Sequence, residues 1–163
     1  MPSIHQAELK DLLEIVDIYN EAVLHTTATF DTQTKTVDDQ RTWFNAHGKR
    51  YPLIVAEEDG KVVGWASMSE WSTRCAYEGT AEASIYIKED YQGKGLGRQL
   101  SVAILQAAKE AGLHTAIARI AEGNTASIKL AESLGFTHIG VMREVGKKFG
   151  KFLDVYMMQI IFK

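Results

Sequence analysis

Cysteine is nearly absent from this chain. Cys75 is the only one in 163 residues, so no intrachain disulfide can form, as expected of a protein kept in a reducing cytoplasm. An excess of positive charge is also missing. The formal net charge is −3, which disfavours non-specific binding to nucleic acid and leaves any phosphate site to local groups. No run of 18 apolar residues occurs, and "MPSIHQAELKDLLEIV" has no basic segment followed by an apolar one, so neither a membrane span nor a signal peptide is expected. His5, His25, His47, His114 and His138 show no metal-ligand spacing, and no metal is expected. Repeats, low-complexity tracts and linkers are lacking too, which predicts one domain over residues 1–163. Against these absences, 45% hydrophobic and 24% charged residues are the composition of a soluble chain with a real core.

The periodicities predict elements in the order β-α-α-β-β-β-α-β-α-β-β. Ile4–Gln6 is a short opening strand. Leu12, Ile15, Ile18, Tyr19 and Val23 form one helical stripe. The segment 25–36, "HTTATFDTQTKT", reads as a loop, and Thr36 with Asp39 starts a second helix in capping-box fashion, running towards His47 with Gly48 as its stop. "PLIVAEEDGKVVGWASMSEW" is a hairpin about Asp59-Gly60. "AEASIYI" is a strand. Leu96, Leu100, Ala103, Ile104, Ala107 and Ala111 mark a helix that ends at Gly112. "HTAIARI" is a strand, Asn124 caps a short helix ending at Gly135, and two strands close the chain around a solvated "GKKFGK". Helices alternate with strands while hairpins intervene, so the class is α/β with a mixed sheet of about seven strands and about four helices.

"YQGKGLGR", residues 91–98, sits between a strand and a helix. Glycines let the backbone come close to a ligand, and the first amides of a helix are unpaired at its positive end. With Lys94 and Arg98 beside them, the turn is suited to phosphate or pyrophosphate; the alternative is a connection that uses glycine for geometry alone. The dinucleotide fingerprint fails, because Arg98 stands where its last glycine belongs, and the triphosphate loop fails because Gly97 is followed by Arg98-Gln99.

Gln92-x-x-Gly95-x-Gly97 resembles the acetyl-CoA signature of the GNAT superfamily of N-acetyltransferases. "NTASIKLAESLGF", 124–136, resembles that superfamily's later helix, and the element order agrees from end to end. More narrowly, "IYNEAV" (18–23), "TATFDT" (27–32), "WASMSEW" (65–71), "YEGTAEASIYI" (77–87) and "GKKFGKFLDV" (146–155) resemble the phosphinothricin acetyltransferase group. Its members acetylate the α-amine of glutamate-like or methionine-derived amino acids such as phosphinothricin (glufosinate), methionine sulfoximine and methionine sulfone, which confers herbicide resistance or detoxification.

This resemblance implies a twisted GNAT sheet whose parallel strands splay to admit the CoA arm, acetyl-CoA as co-substrate, and a cytoplasmic homodimer. Gln92, Gly93, Lys94, Gly95, Leu96, Gly97 and Arg98 would hold the pyrophosphate. Main-chain groups of Ile85, Tyr86 and Ile87 would pair with pantetheine, Asn124 would hydrogen-bond the same arm, and Lys129 would lie near the adenosine phosphates. Asn124 is equally explained as a plain helix cap. Glu82 is the general-base candidate, sharing one strand face with Ser84 and Tyr86; burial would raise its pKa towards a useful range, and the alternative is an edge-strand charge facing water. Arg74 and Tyr77 would line the amino-acid pocket, since arginine grips carboxylates bidentately, unless they are surface residues. Phe30, Trp43 and Trp71 are pocket or core aromatics.

Two departures from the pattern bear on chemistry. Ala131 stands where many members carry a tyrosine that protonates the thiolate, leaving that task to water or a helix dipole. Phe149 stands where some phosphinothricin enzymes carry a histidine, so no histidine role transfers. The rival functions are acetylation of another small amine or of a protein N-terminus, and a silent acetyl-CoA-binding module. Arg74 disfavours a polycationic acceptor, and Glu82 disfavours the silent module.

Overall fold

The computed structural model describes residues 2–163. The chain runs β1 (Ser3–Gln6), α1 (Leu12–His25), α2 (Val37–Asn45), β2 (Leu53–Glu58), β3 (Lys61–Glu70), β4 (Thr80–Ile87), α3 (Leu96–Glu110), β5 (Thr115–Ala121), α4 (Thr125–Ser133), β6 (Thr137–Lys148) and β7 (Lys151–Ile161), with short 3-10 turns at Leu9–Asp11, Cys75–Tyr77 and Glu89–Tyr91. The strands form one mixed sheet in the order β1-β2-β3-β4-β5-β7-β6. All neighbours are antiparallel except β4 and β5. The crossover between these two parallel strands is α3, which parallel pairing requires.

Each face of the sheet is closed by helices. Leu96, Leu100 and Ile104 of α3 are buried on Ala56, Val63, Met68 and Ala81. Burying three such side chains fully is worth about 1.5–3 kcal/mol each. α4 covers the same face further along, with Ala131 against Ile120, Phe136 and Met158. On the opposite face α1 packs Ile15 and Ile18 onto Leu53, Val55, Val62 and Trp65, joined by Trp43 and Phe44 of α2. β6 is the outer edge strand and is largely exposed.

Helix starts follow the capping logic. Thr36 Oγ1 accepts from the Asp39 amide at 3.1 Å, and the Asp39 carboxylate accepts from the Thr36 amide at 3.2 Å. Asn124 Oδ1 accepts from the Ser127 amide at 3.3 Å.

The structure corrects three sequence expectations. α2 stops at Asn45, short of His47, because the His47 ring folds back onto the Trp43 carbonyl. Ala108 rather than Ala107 reaches the α3 core, where Leu113 after the helix closes the same cluster. "GKKFGK" is mostly exposed as expected, but both terminal strands run into it, only Phe149-Gly150 forms the turn, and Lys148 is the exception, buried with its Nζ donating to the Thr29 carbonyl at 2.7 Å. A lysine stem buries readily when its ammonium finds a carbonyl, which strand alternation alone does not reveal.

Candidate active site

The site begins where β4 and β5 part. They pair through only three positions: Thr80 with Thr115, Ala81 with Ala116, and Glu82 with Ile117. Beyond Ile117, β5 stays on β7 as far as Ala121, while β4 stays on β3 as far as Ile87. The sheet therefore forks at Glu82, and residues 83–87 of β4 have a main-chain edge with no strand opposite. A cleft of about 1340 Å³ occupies the fork and extends over the face covered by α1 and α2.

The glycine turn closes the far end. Gly93 and Gly95 have φ of 74° and 85°, which only glycine adopts freely. Gly95 caps α3 with no side-chain hydrogen bond, so the first amides of α3 are left for a ligand. Gln92 Nε2 donates to the Ile87 carbonyl at 3.0 Å and ties the turn to the end of β4. Gly97 lies against Ile87 of β4 and Leu130 of α4. Arg98 Nη1 donates to Ser133 Oγ at 3.0 Å, clasping α3 to α4. Gln92, Gly93, Gly97, Asn124 and Ala131 line the cleft; Lys94, Gly95, Leu96, Arg98 and Lys129 do not, and Lys94 and Lys129 are exposed. Lys94 rests over the Tyr91 ring. With Oδ1 committed to the cap, the Asn124 amide nitrogen is the donor that remains.

The near wall is a ladder across β3 and β4. Trp65 stands opposite Tyr86, Ser67 opposite Ser84, and Ser69 opposite Glu82. All six line the cleft. At its aromatic end Trp65 and Tyr86 lie 4.9 Å apart, with Tyr19 edge-on to Tyr86 at 5.2 Å and Trp43 edge-on to Trp65 at 5.4 Å. Burial pushes the Tyr86 phenol up to about 12 and raises Tyr19 further, so both remain hydrogen-bond donors at neutral pH. Tyr19 donates to Asp31 and lies 2.8 Å from Thr29 Oγ1, Tyr86 Oη donates to the Ala28 carbonyl at 3.4 Å, and Lys148 holds the Thr29 carbonyl. These bonds pin the 26–31 loop over the cleft. Phe30 lines the cleft from this loop, its ring seated on Gly146 of β6, where any Cβ would overlap it. Trp65 Nε1 is the one buried side-chain nitrogen or oxygen without a partner among the described residues.

Glu82 is not an edge charge. It lies on a central strand at the fork, part-buried, and its carboxylate is gripped by Arg119 of β5, with Nε to Oε2 at 2.6 Å and Nη2 to Oε1 at 2.7 Å. The hydrogen bonds of this ion pair raise the Arg119 pKa. Arg119 also stacks on Trp71, 5.3 Å from the ring centroid. The sequence reading passed over Arg119. Its signal was a lone cation in the apolar strand "HTAIARIA", opposite in sign to Glu82.

Arg74 and Tyr77 are not brought into this lining. Both are exposed on the irregular connection into β4, next to the exposed Cys75. Phe149 lies at the β6–β7 tip, 62% exposed and away from the cleft.

A forked parallel pair with a glycine turn at the start of the following helix is a recurrent cradle, and the sequence agrees with it. Residues 4–157 match the acetyltransferase (GNAT) domain family. The chain belongs to the GNAT acetyltransferases. It is 42% identical over 160 residues to the L-methionine sulfoximine/L-methionine sulfone acetyltransferase of Pseudomonas paraeruginosa, covering 97% of this chain and 93% of that one. It is 37% identical over 150 residues to the phosphinothricin N-acetyltransferase of Streptomyces coelicolor, covering 90% and 88%. Its fold superposes on yncA of Salmonella typhimurium, a structure solved with acetyl-CoA, at a TM-score of 0.94 and 40% identity, covering 99% of this chain and 94% of that one. Among GNAT folds the mixed seven-stranded sheet expected from the sequence is thus the one observed.

Proposed function

We propose that this GNAT domain, spanning 1–163, transfers the acetyl group of acetyl-CoA to the α-amine of a small amino acid, with methionine sulfone, methionine sulfoximine and phosphinothricin as the acceptors of first choice. The observation that carries this is the fork. It offers an unpaired main-chain edge and a free helix N-terminus to the donor, and opens onto a polar and aromatic ladder for the acceptor. The names of the relatives supply the acceptor class.

The residues divide the work. Main-chain groups of Ile85, Tyr86 and Ile87 extend the sheet onto the pantetheine arm. The Asn124 amide takes a second contact on it. The amides from Gly93 to Arg98 receive the pyrophosphate, with Lys94, Arg98 and Lys129 adding charge along its path. The bound donor supplies an activated thioester. The acceptor ammonium gives one proton, through a water, to the Glu82 carboxylate, which keeps lone pairs free beside its bonds to Arg119. The neutral nitrogen attacks the thioester carbon, the N–C bond forms, and the C–S bond breaks with its electron pair going to sulfur. The nitrogen's second proton offsets the one the thiolate takes up from water, since Ala131 offers no acid. Arg74 and Tyr77, exposed on the connection into β4 and outside the cleft lining, are assigned the acceptor's carboxylate as it enters.

The enzyme works in the cytoplasm, where no disulfide is needed, and no helix among the described residues is long and apolar enough to cross a membrane. It acts as a homodimer. Support comes from the edge strand β6, which exposes Ile139, Val141 and Val145, with Phe152 beside it on β7.

The test is thiol release from acetyl-CoA against a panel of free amino acids, polyamines and peptides. Turnover is expected on the methionine derivatives and phosphinothricin, and Arg74→Ala is expected to raise their KM. Turnover on polyamines or peptides alone would reject the acceptor class. Tight acetyl-CoA binding with no turnover on any acceptor would reject catalysis.

A further inference from the structure

The Glu82–Arg119 pair is a two-point, charge-assisted contact within the cleft, and donor binding does not account for it. Arg119 is 47% and Glu82 24% exposed at the side chain, so the pair is only partly desolvated and does not bury its two charges as a core ion pair would. It lies one step past the end of the β4–β5 ladder: Glu82 pairs with Ile117, and Arg119 is two residues on, on the same strand face. The guanidinium thus reaches back across the mouth of the fork to the last residue before the strands separate. Its rear is stacked on Trp71. On the other side, Ser69 stands directly opposite Glu82 on β3. The carboxylate, a three-torsion side chain, is thereby restricted to one orientation over the cleft, with a planar two-point grip that lysine cannot reproduce.

We infer that Arg119 is a positioning residue: by its bidentate grip it holds the Glu82 carboxylate at the apex of the fork, aimed at the acceptor amine. Arg119 touches neither the thioester nor the amine. It acts through Glu82, and this inference rests on the role given to Glu82 above. Two consequences separate it from a structural clasp. Loss of Arg119 lowers kcat and leaves acetyl-CoA affinity alone, because the donor's contacts lie elsewhere in the fork. The loss also requires Glu82, because a group that works only through a partner has no effect once the partner cannot act.

The experiment is a double-mutant cycle on the full chain with a methionine sulfone acceptor, using Arg119→Met, Arg119→Lys, Glu82→Gln and Glu82→Gln/Arg119→Met. Each variant is checked for folding by circular dichroism and for acetyl-CoA affinity by calorimetry. Arg119→Met is expected to lower kcat by about 10- to 100-fold and Arg119→Lys by less, while removing Arg119 from the Glu82→Gln enzyme changes its residual rate by less than about twofold. Wild-type kcat in Arg119→Met, or equal further losses in both backgrounds, overturns the inference with the role of Glu82 intact. Near wild-type activity in Glu82→Gln rejects Glu82 as the base and this inference with it. Failure of the wild type on every amino acid rejects the acceptor class instead. If Arg119→Met does not fold, Arg119→Lys carries the comparison: full activity there, with one contact in place of the two-point grip, overturns the inference.

Discussion

His47 shows how a single residue can be neutral by construction. Its Nδ1 lies 2.7 Å from the Trp43 carbonyl, which can only accept, so Nδ1 carries the hydrogen. Nε2 is then the acceptor, and Ser69 Oγ donates to it at 3.1 Å. Desolvation lowers the ring's pKa below its ordinary 6.5, outweighing the hydrogen bond to Trp43. The unfolded chain therefore binds a proton that the folded one resists. This contribution to stability is complete above about pH 6.5, declines as pH falls below it, and levels off only below the lowered folded value. Thermal unfolding near pH 7.5 and near pH 5.5 is expected to show a smaller loss in His47→Asn than in wild type. Equal losses would exclude His47 as the source. Arg119, by contrast, has its pKa raised by its hydrogen bonds to Glu82 and stays charged throughout.

Among the elements, the 26–36 loop is the one whose conformation depends on distant parts of the chain. Asn20 of α1 brackets it, with Nδ2 donating to the Lys35 carbonyl and Oδ1 accepting from the Lys35 amide, both at 2.8 Å. Lys148 and Gly146 hold its other end from β6. Phe30 sits on Gly146 so closely that a methyl group there must push the ring away. Gly146→Ala is expected to cost about 1–3 kcal/mol in denaturant unfolding, in the range of overpacked sites, and to raise the acceptor KM because Phe30 lines the cleft. Unchanged stability together with unchanged KM would mean that the loop is not seated through Phe30.

Over the whole molecule, the two edges of the sheet differ. β1 is a four-residue strand, too short to template much pairing, whereas β6 is twelve residues long and studded with exposed apolar side chains. Long apolar edges are covered in working proteins. β6 is also bent by register shifts at His138/Gly140 and Met142/Gly146, with Glu144 at φ 50° and its amide donating to Asp154 Oδ1 at 2.7 Å. Sedimentation of the wild type is expected to give twice the chain mass, and Val141→Arg to give a monomer. A wild-type monomer at all concentrations would reject the homodimer.

Some of this was legible in the sequence, because local physics carried it. Apolar periodicity together with cap and turn residues marked the seven strands and four helices, the Thr36–Asp39 box and Asn124 standing at the starts of α2 and α4. The glycines and basic residues from Gly93 to Arg98 marked an anion-binding turn, since backbone freedom and helix amides are written in a few adjacent residues. What lay beyond reach was pairing between residues far apart in the chain. Arg119 meets Glu82 37 positions away, Lys148 meets Thr29 119 positions away, and Gly146 admits Phe30, none of which leaves a periodic trace. Arg74 precedes Glu82 in sequence but stays outside the cleft lining, whereas Arg119 lines it beside Glu82 because the parallel strand β5 lies next to β4. The sequence alone thus determined the order of elements and the anion-binding character of the glycine turn, both set by contacts of short range. Only the tertiary structure decided where the sheet forks and which cation grips the carboxylate there, because both depend on strands brought together by a crossover.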